Sequence, residues 1–155
     1  MSDFVNTIDL LGDEAVTKSL IEKTITEFND DVLTSVGMYA FYSCTNLTSI
    51  NLPLVTSVGT YAFAICTNLA CVILRAETVC NLSGIDAFNS TPFASGKSGG
   101  TIIVPRSLTT EYPNATNWSA VFANNANNRI LALEDYTVDG TITGEIDWDK
   151  LNGGN

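Results

Sequence analysis

The chain has no histidine. That excludes Ser-His-Asp and Cys-His nucleophilic sites and every zinc site with a histidine ligand. It is also poor in basic residues, with 7 Lys and Arg against 17 Asp and Glu and a formal net charge of −10. Such a balance repels phosphate backbones and anionic membrane faces, so neither nucleic acid nor a membrane is an expected partner. No stretch approaches the roughly 20 apolar residues of a membrane span. The opening MSDFVNTIDLLGDE lacks the basic start and apolar core of a signal peptide, so no secretion address is expected. Four cysteines occur, Cys44, Cys66, Cys71 and Cys80, without a Cys-x-x-Cys pair, so a thiolate metal cluster is not expected. No carboxylate pair is marked out as acid/base machinery either. The expectation is a protein without cofactor, metal or catalytic residues. Most tellingly, not one charged residue lies between Val32 and Leu74.

What fills that uncharged stretch is one phrase written twice: TSVGMYAFYSCTNLTSINLP from Thr34, then TSVGTYAFAICTNLACVILR from Thr56. The period is 56 − 34 = 22 residues, within the range of leucine-rich repeats. Alignment pairs Val36 with Val58, Ala40 with Ala62, Phe41 with Phe63, Cys44 with Cys66, Leu47 with Leu69, Ile50 with Val72 and Leu52 with Leu74. These positions repeat because each coil must bury the same row. Leu47-Thr-Ser-Ile50-Asn-Leu52 followed by Pro53 reads as a short strand ending in a turn. Gly37 and Gly59 are expected to let the chain bend before a short helical piece that carries Ala-Phe inward. With 155 residues, 45% of them hydrophobic, the chain suits one α/β repeat domain: a short right-handed leucine-rich-repeat solenoid of about four coils with stacked parallel strands.

The phrase fades in both directions, as the end repeats of such an array must. Upstream, Ile25 and Phe28 lie 22 residues before Leu47 and Ile50 on a more charged frame. Downstream, Gly84-Ile-Asp-Ala87-Phe88 repeats the Ala-Phe pair after a three-residue insertion, and Thr101-Ile-Ile-Val104-Pro105 supplies a further strand and proline. The expected organisation is an N-terminal cap over 1–23, the solenoid over 24–105, a C-terminal cap over 106–133 and a β-prone tail over 134–155.

The pattern Val-Gly-x-Tyr-Ala-Phe-x-x-Cys-x-x-Leu, continued by Ile-x-Leu-Pro, resembles the BspA-type leucine-rich repeat of bacterial surface proteins and of phages that infect Gram-positive hosts. The segment Thr101–Pro105, Tyr112 and Ala115-Thr-Asn-Trp118-Ser is similar to the closing segment of the phage and prophage group. This resemblance implies a non-enzymatic virion structural protein: a decoration, fibre or tail component that presents its repeats to a host glycan or surface protein. The virion surface is then its place, beside other virion proteins. The alternative it implies is an adhesion module on a bacterial cell surface.

Several features have plain structural readings. Cys44 and Cys66 occupy one repeat position and are expected to be small buried thiols, reduced rather than paired. Asn46 starts an Asn-x-Thr sequon but its twin Asn68 does not, so these asparagines are expected to cap backbone between coils. The acidic pairs Asp30-Asp31, Glu134-Asp135 and Asp147-Trp-Asp149 read as solvated charge, with a calcium site made between chains left open. Ser95-Gly-Lys-Ser-Gly-Gly100 ends like a phosphate loop but lacks the earlier glycine, and reads as a flexible insertion.

Candidate binding residues are those at variable repeat positions on the uncharged face: Met38, Tyr39, Tyr42, Ser43, Asn51, Thr60, Tyr61, Ile65 and Ile73. Aromatic rings among small polar side chains suit sugar-binding and protein-binding faces. Ser and Thr also solvate such strands without binding anything. In the tail, Asp139-Gly140 between β-favouring runs signals a hairpin. Ile142, Ile146 and Trp148 at β-like spacing must be buried, either on the last coil or on another subunit. The second option is the expectation taken here, with a homo-oligomer, preferably a trimer, assembled or anchored by this tail.

Overall fold

The computed structural model describes residues 27–29, 33–151 and 153. The cap expected over 1–23, with Ile25 and the pair Asp30-Asp31, lies outside them. Two parallel sheets organise the described residues. The larger takes the order β1 (Glu27–Asn29), β3 (Ser49–Leu52), β5 (Cys71–Leu74), β7 (Thr101–Val104) and β8 (Arg129–Ala132). The smaller takes the order β2 (Ser35–Val36), β4 (Ser57–Val58) and β6 (Asn81–Leu82).

The registers follow the sequence alignment. Phe28 pairs with Ile50 and Ile50 with Val72, each 22 residues on (50 − 28 and 72 − 50). Val36 pairs with Val58 and Val58 with Leu82. Later steps lengthen, with Val72 opposite Ile102 and Ile102 opposite Ile130, so the insertions sit between strands and the ladder stays continuous. Strand β8 lies within the span expected to be a cap and adds the fifth rung.

Because side chains alternate along a strand, Ile50, Leu52, Val72, Leu74, Ile102 and Val104 enter one core with Val36, Val58 and Leu82 of the smaller sheet. Through this core runs an aromatic spine. Phe41 stacks on Phe63 at 5.5 Å and Phe63 on Phe88 at 5.6 Å, all three buried. Cys44 and Cys66 are buried free thiols, and the Cys66 thiol donates to the Phe41 carbonyl at 2.9 Å. Asn68 Nδ2 donates to the Thr45 carbonyl of the preceding repeat at 2.7 Å, which bears out the capping role expected of this position.

The piece carrying Ala-Phe inward is helical only in its third copy, the 3₁₀ helix Ile85–Phe88. In the first two copies it is a run of tight turns, because Tyr39, Ser43, Tyr61 and Ile65 all adopt positive φ, between 55° and 64°. The amides alternate in direction. Those of Ala40, Tyr42 and Cys44 close local turns onto Gly37, Tyr39 and Phe41. Those of Tyr39, Phe41 and Ser43 donate to Thr60, Ala62 and Ala64 of the next repeat at 2.8–3.0 Å. A helix would keep all of these bonds within one repeat. The turns spend half of them on holding repeats together. Gly59 is fixed by the same closeness, since a Cβ there would stand 2.7 Å from the Met38 nitrogen.

Beyond β6 the irregular backbone is held by side chains. Cys80 donates its N–H to the Tyr112 hydroxyl at 2.9 Å, and its carbonyl accepts from Trp118 Nε1 at 2.7 Å. Trp118 opens helix α1 (Trp118–Asn124), and the closing segment seen in the sequence is thus a clamp on the last regular repeat. The glycine-rich stretch 95–100 differs from the flexible insertion expected. Asn125 Nδ2 donates to the carbonyls of Ala94 and Lys97, while Asn128 accepts from the Gly100 N–H and donates to Phe93.

The tail folds back on its own chain. The Val138 N–H donates to Glu145 and the Asp147 N–H to Tyr136, both at 2.8 Å, around an antiparallel bridge between Thr137 and Ile146. The hairpin signal at Asp139-Gly140 is therefore met. The β-like spacing of Trp148 is not: it starts a short helix, α2 (Trp148–Leu151), whose Lys150 N–H is capped by Asp147. Ile146 is buried with Ile73, Ile103 and Leu133 in a second core, with Ile142 and Trp148 packed against it. The apolar side chains expected to dock on another subunit are thus covered, wholly or in part, within one chain.

Candidate interaction surface

The candidate residues divide into two groups. Seven come together on the turn side of the repeats: Met38, Tyr39, Tyr42, Ser43, Thr60, Tyr61 and Ile65. Met38 is 52% and Tyr39 40% exposed, and the other five are half-buried. Asn51 and Ile73 lie instead on the outward face of the larger sheet. Ile73 was expected at the surface, but it is 0% exposed because the tail covers it. Asn51 is tied up as well, its Oδ1 accepting from Arg75 Nε at 3.0 Å.

Within the first group the tyrosines order one another. Tyr39 and Tyr61 stack with centroids 5.3 Å apart and planes 13° from parallel, and Tyr42 meets Tyr39 edge to face at the same distance. The stack covers one face each of Tyr39 and Tyr61 and sets their orientation. The row is also bounded. In the third copy Asp86 stands where Tyr39 and Tyr61 stand, and Asn89 where Tyr42 stands. Ile85, 42% exposed, continues the row of Met38 and Thr60 and was missed in the sequence. Its signal was its place directly after Gly84, as Met38 follows Gly37.

Ile65 is strained. A β-branched residue at φ 62° brings its Cβ against its own backbone, and the equivalent positions use Ser43 and Ser90, also at positive φ. Strain of this kind persists only where its surroundings enforce it.

Arg75, the first charged residue after the uncharged stretch, donates through Nη1 to the carbonyls of Ile142 at 2.9 Å and Gly144 at 2.6 Å. Burial lowers its pKa, and the charge of Asp139 partly offsets this. Cys71, beneath the tail helix, is pushed up to about 12 by burial despite Arg129, so its thiol stays protonated and unreactive. No group of three His, Cys, Asp or Glu side chains able to hold a metal occurs among the described residues.

Compared with known protein families, residues 12–127 match a model described as the BspA type leucine rich repeat region, in 6 copies. The chain belongs to the BspA-type leucine-rich repeat family. The match covers both clean copies, the tyrosine ridge and the aromatic clamp of this BspA-type protein. Membership suggests a repeat solenoid and a protein-interaction or adhesion module. No curated protein and no solved structure matches the chain.

Proposed function

We propose that this BspA-type protein is a non-enzymatic adhesion module whose contact face is the ridge of Met38, Tyr39, Tyr42, Ser43, Thr60, Tyr61 and Ile65, and that its repeats wind as a short right-handed solenoid. The observation that carries the reading is the tyrosine group: three rings fix one another within a sequence stretch that has no charged residue, beside an exposed Met38. Rings held in place lose little side-chain freedom on binding, which is why tyrosine is favoured at contact sites. Their rings, hydroxyls and the neighbouring thioether have the mixed apolar and polar character of a protein-contact surface.

The setting we propose is a phage particle, as a decoration, fibre or tail component facing a Gram-positive host. Its support is the likeness of the Thr101–Trp118 segment to the phage and prophage group. Virion parts act in symmetric multiples, so self-association, with a trimer preferred, belongs to this reading. A bacterial cell-surface module would use the same ridge.

The test is adsorption of labelled chain to Gram-positive cells, with and without the double change Tyr39→Ser and Tyr61→Ser. Loss of adsorption at an unchanged unfolding midpoint is expected. Full retention by the double variant removes the ridge from the reading. Light scattering of the full chain checks the oligomer, and a monomer at every concentration overturns that part.

A further inference from the structure

On the other side of the repeats the tail loop 142–145 borders an open cleft of about 550 Å³ beside the C-terminal ends of β3 and β5. Its size falls within the usual range for small-ligand sites, about 300–1,000 Å³. The cleft is independent of the tyrosine ridge. Its walls combine apolar surface from Leu54, 50% exposed, and Ile142 with polar groups from Asn51, Arg75, Glu77 and Glu145.

Two donors there are fixed but unused. Arg75 spends Nε on Asn51 and Nη1 on two tail carbonyls, which leaves Nη2. Asn51 accepts through Oδ1 and keeps its Nδ2 group. Neither nitrogen has an acceptor among the described residues, and neither is sealed from solvent. Their positions are nevertheless set by the bonds the same side chains already make, so a ligand would not have to order them.

Charge narrows the ligand. Glu77 and Glu145 outnumber the single guanidinium, whose charge Asp139 already partly meets, so an anion is repelled. A cation would have to approach Arg75. Neutral hydroxyls fit both signs, because they accept from Arg75 and Asn51 and donate to the two carboxylates. The apolar patch of Leu54 and Ile142 suits the C–H face of a pyranose. We propose that this cleft is a binding site for a neutral, hydroxyl-rich ligand, a saccharide of one or two rings, formed jointly by the repeats and the tail.

The test is an NMR titration of the full ¹⁵N-labelled chain, read at Arg75 Nε–H and the Asn51 side-chain amide. The probes are maltose and N,N′-diacetylchitobiose, with glucuronic acid and glucosamine as charged controls. Saturable shifts at both signals with at least one neutral disaccharide, and weaker ones with the charged sugars, are expected. Leu54→Glu, at an exposed position that leaves the fold intact, should raise the Kd by about tenfold or more through a lost apolar contact and an added charge. The proposal is overturned if neither neutral disaccharide gives a saturable shift, if the charged sugars bind as well, or if Leu54→Glu leaves the titration unchanged.

Discussion

The two halves of this BspA-type protein hold their backbones together by different means. From residue 33 to 74 the work is done by repetition: Thr56 donates to Thr34, Gly59 to Val36 and Phe41 to Ala62, backbone to backbone. From 75 to 151 the backbone ladder continues through β6, β7 and β8, but the longer connections are held by individual side chains, with Tyr112 and Trp118 on Cys80, Asn125 and Asn128 on the 92–100 loop, and Arg75 on the tail. A repeated segment satisfies its polar groups with a copy of itself and needs no charge. A segment without a copy needs a specific partner for each buried N–H and C=O, because leaving one unpaired costs about 1–3 kcal/mol.

This contrast can be broken most directly at the spine. Phe63 lies between Phe41 and Phe88, and Phe63→Ala is expected to cost about 3–5 kcal/mol in denaturant unfolding. A loss under about 1 kcal/mol would mean that the repeats do not share one core. Next comes Gly59→Ala, which forces a Cβ to within 2.7 Å of the Met38 nitrogen and should cost about 1–3 kcal/mol as an overpacked contact. An unaffected midpoint would show that the spacing between repeats yields easily.

In the other half, Tyr112→Phe removes only a hydroxyl, yet it strands the buried Cys80 N–H. A cost of about 1–2 kcal/mol is expected from urea titration. A neutral result would erase the distinction between the halves, since the clamp would then be packing alone. Smaller still is Ile65→Asn. Asparagine tolerates positive φ, so relief of strain should outweigh the lost half-buried contact and raise stability by about 0.5 kcal/mol. Destabilisation beyond about 1 kcal/mol would show Ile65 to be a packing residue.

The smallest effect is a pH dependence confined to the tail. Asp139 is held below its ordinary 3.8 chiefly by the hydrogen bond from the Thr141 hydroxyl, and Asp135 chiefly by that from Arg106. Both pKa values are depressed in the folded chain. Their stabilisation is therefore complete above the unfolded value and is lost as pH falls through the lower folded one. Below about pH 4 the indole N–H signal of Trp148 should shift while amides of the repeat core hold. Simultaneous loss of both would show that the tail and the repeats unfold as one unit.

The repeat half was legible residue by residue. Its 22-residue period set the pairing of Ile50 with Val72, the Phe41–Phe63 stack and the buried thiols, because burying the same row in each copy forces the same side chain to recur. The tyrosine ridge was legible for the same reason, as the positions that such a rule leaves free. What replaced the expected helical piece was not legible. A bond sent to the next repeat and one closed within the repeat look identical in sequence, and only the positive φ of Tyr39 and Ser43 separates them. The tail shows the other limit. Its apolar residues had to be covered, but sequence alone does not distinguish an outward sheet face of the same chain from that of another. Ile73 and Asn51 read as open repeat positions, and only the tertiary structure placed Ile146 over one and Arg75 against the other. Local periodicity decides what each copy buries within itself, whereas contacts between 73 and 146 or between 75 and 142 depend on where an unrepeated segment comes to rest.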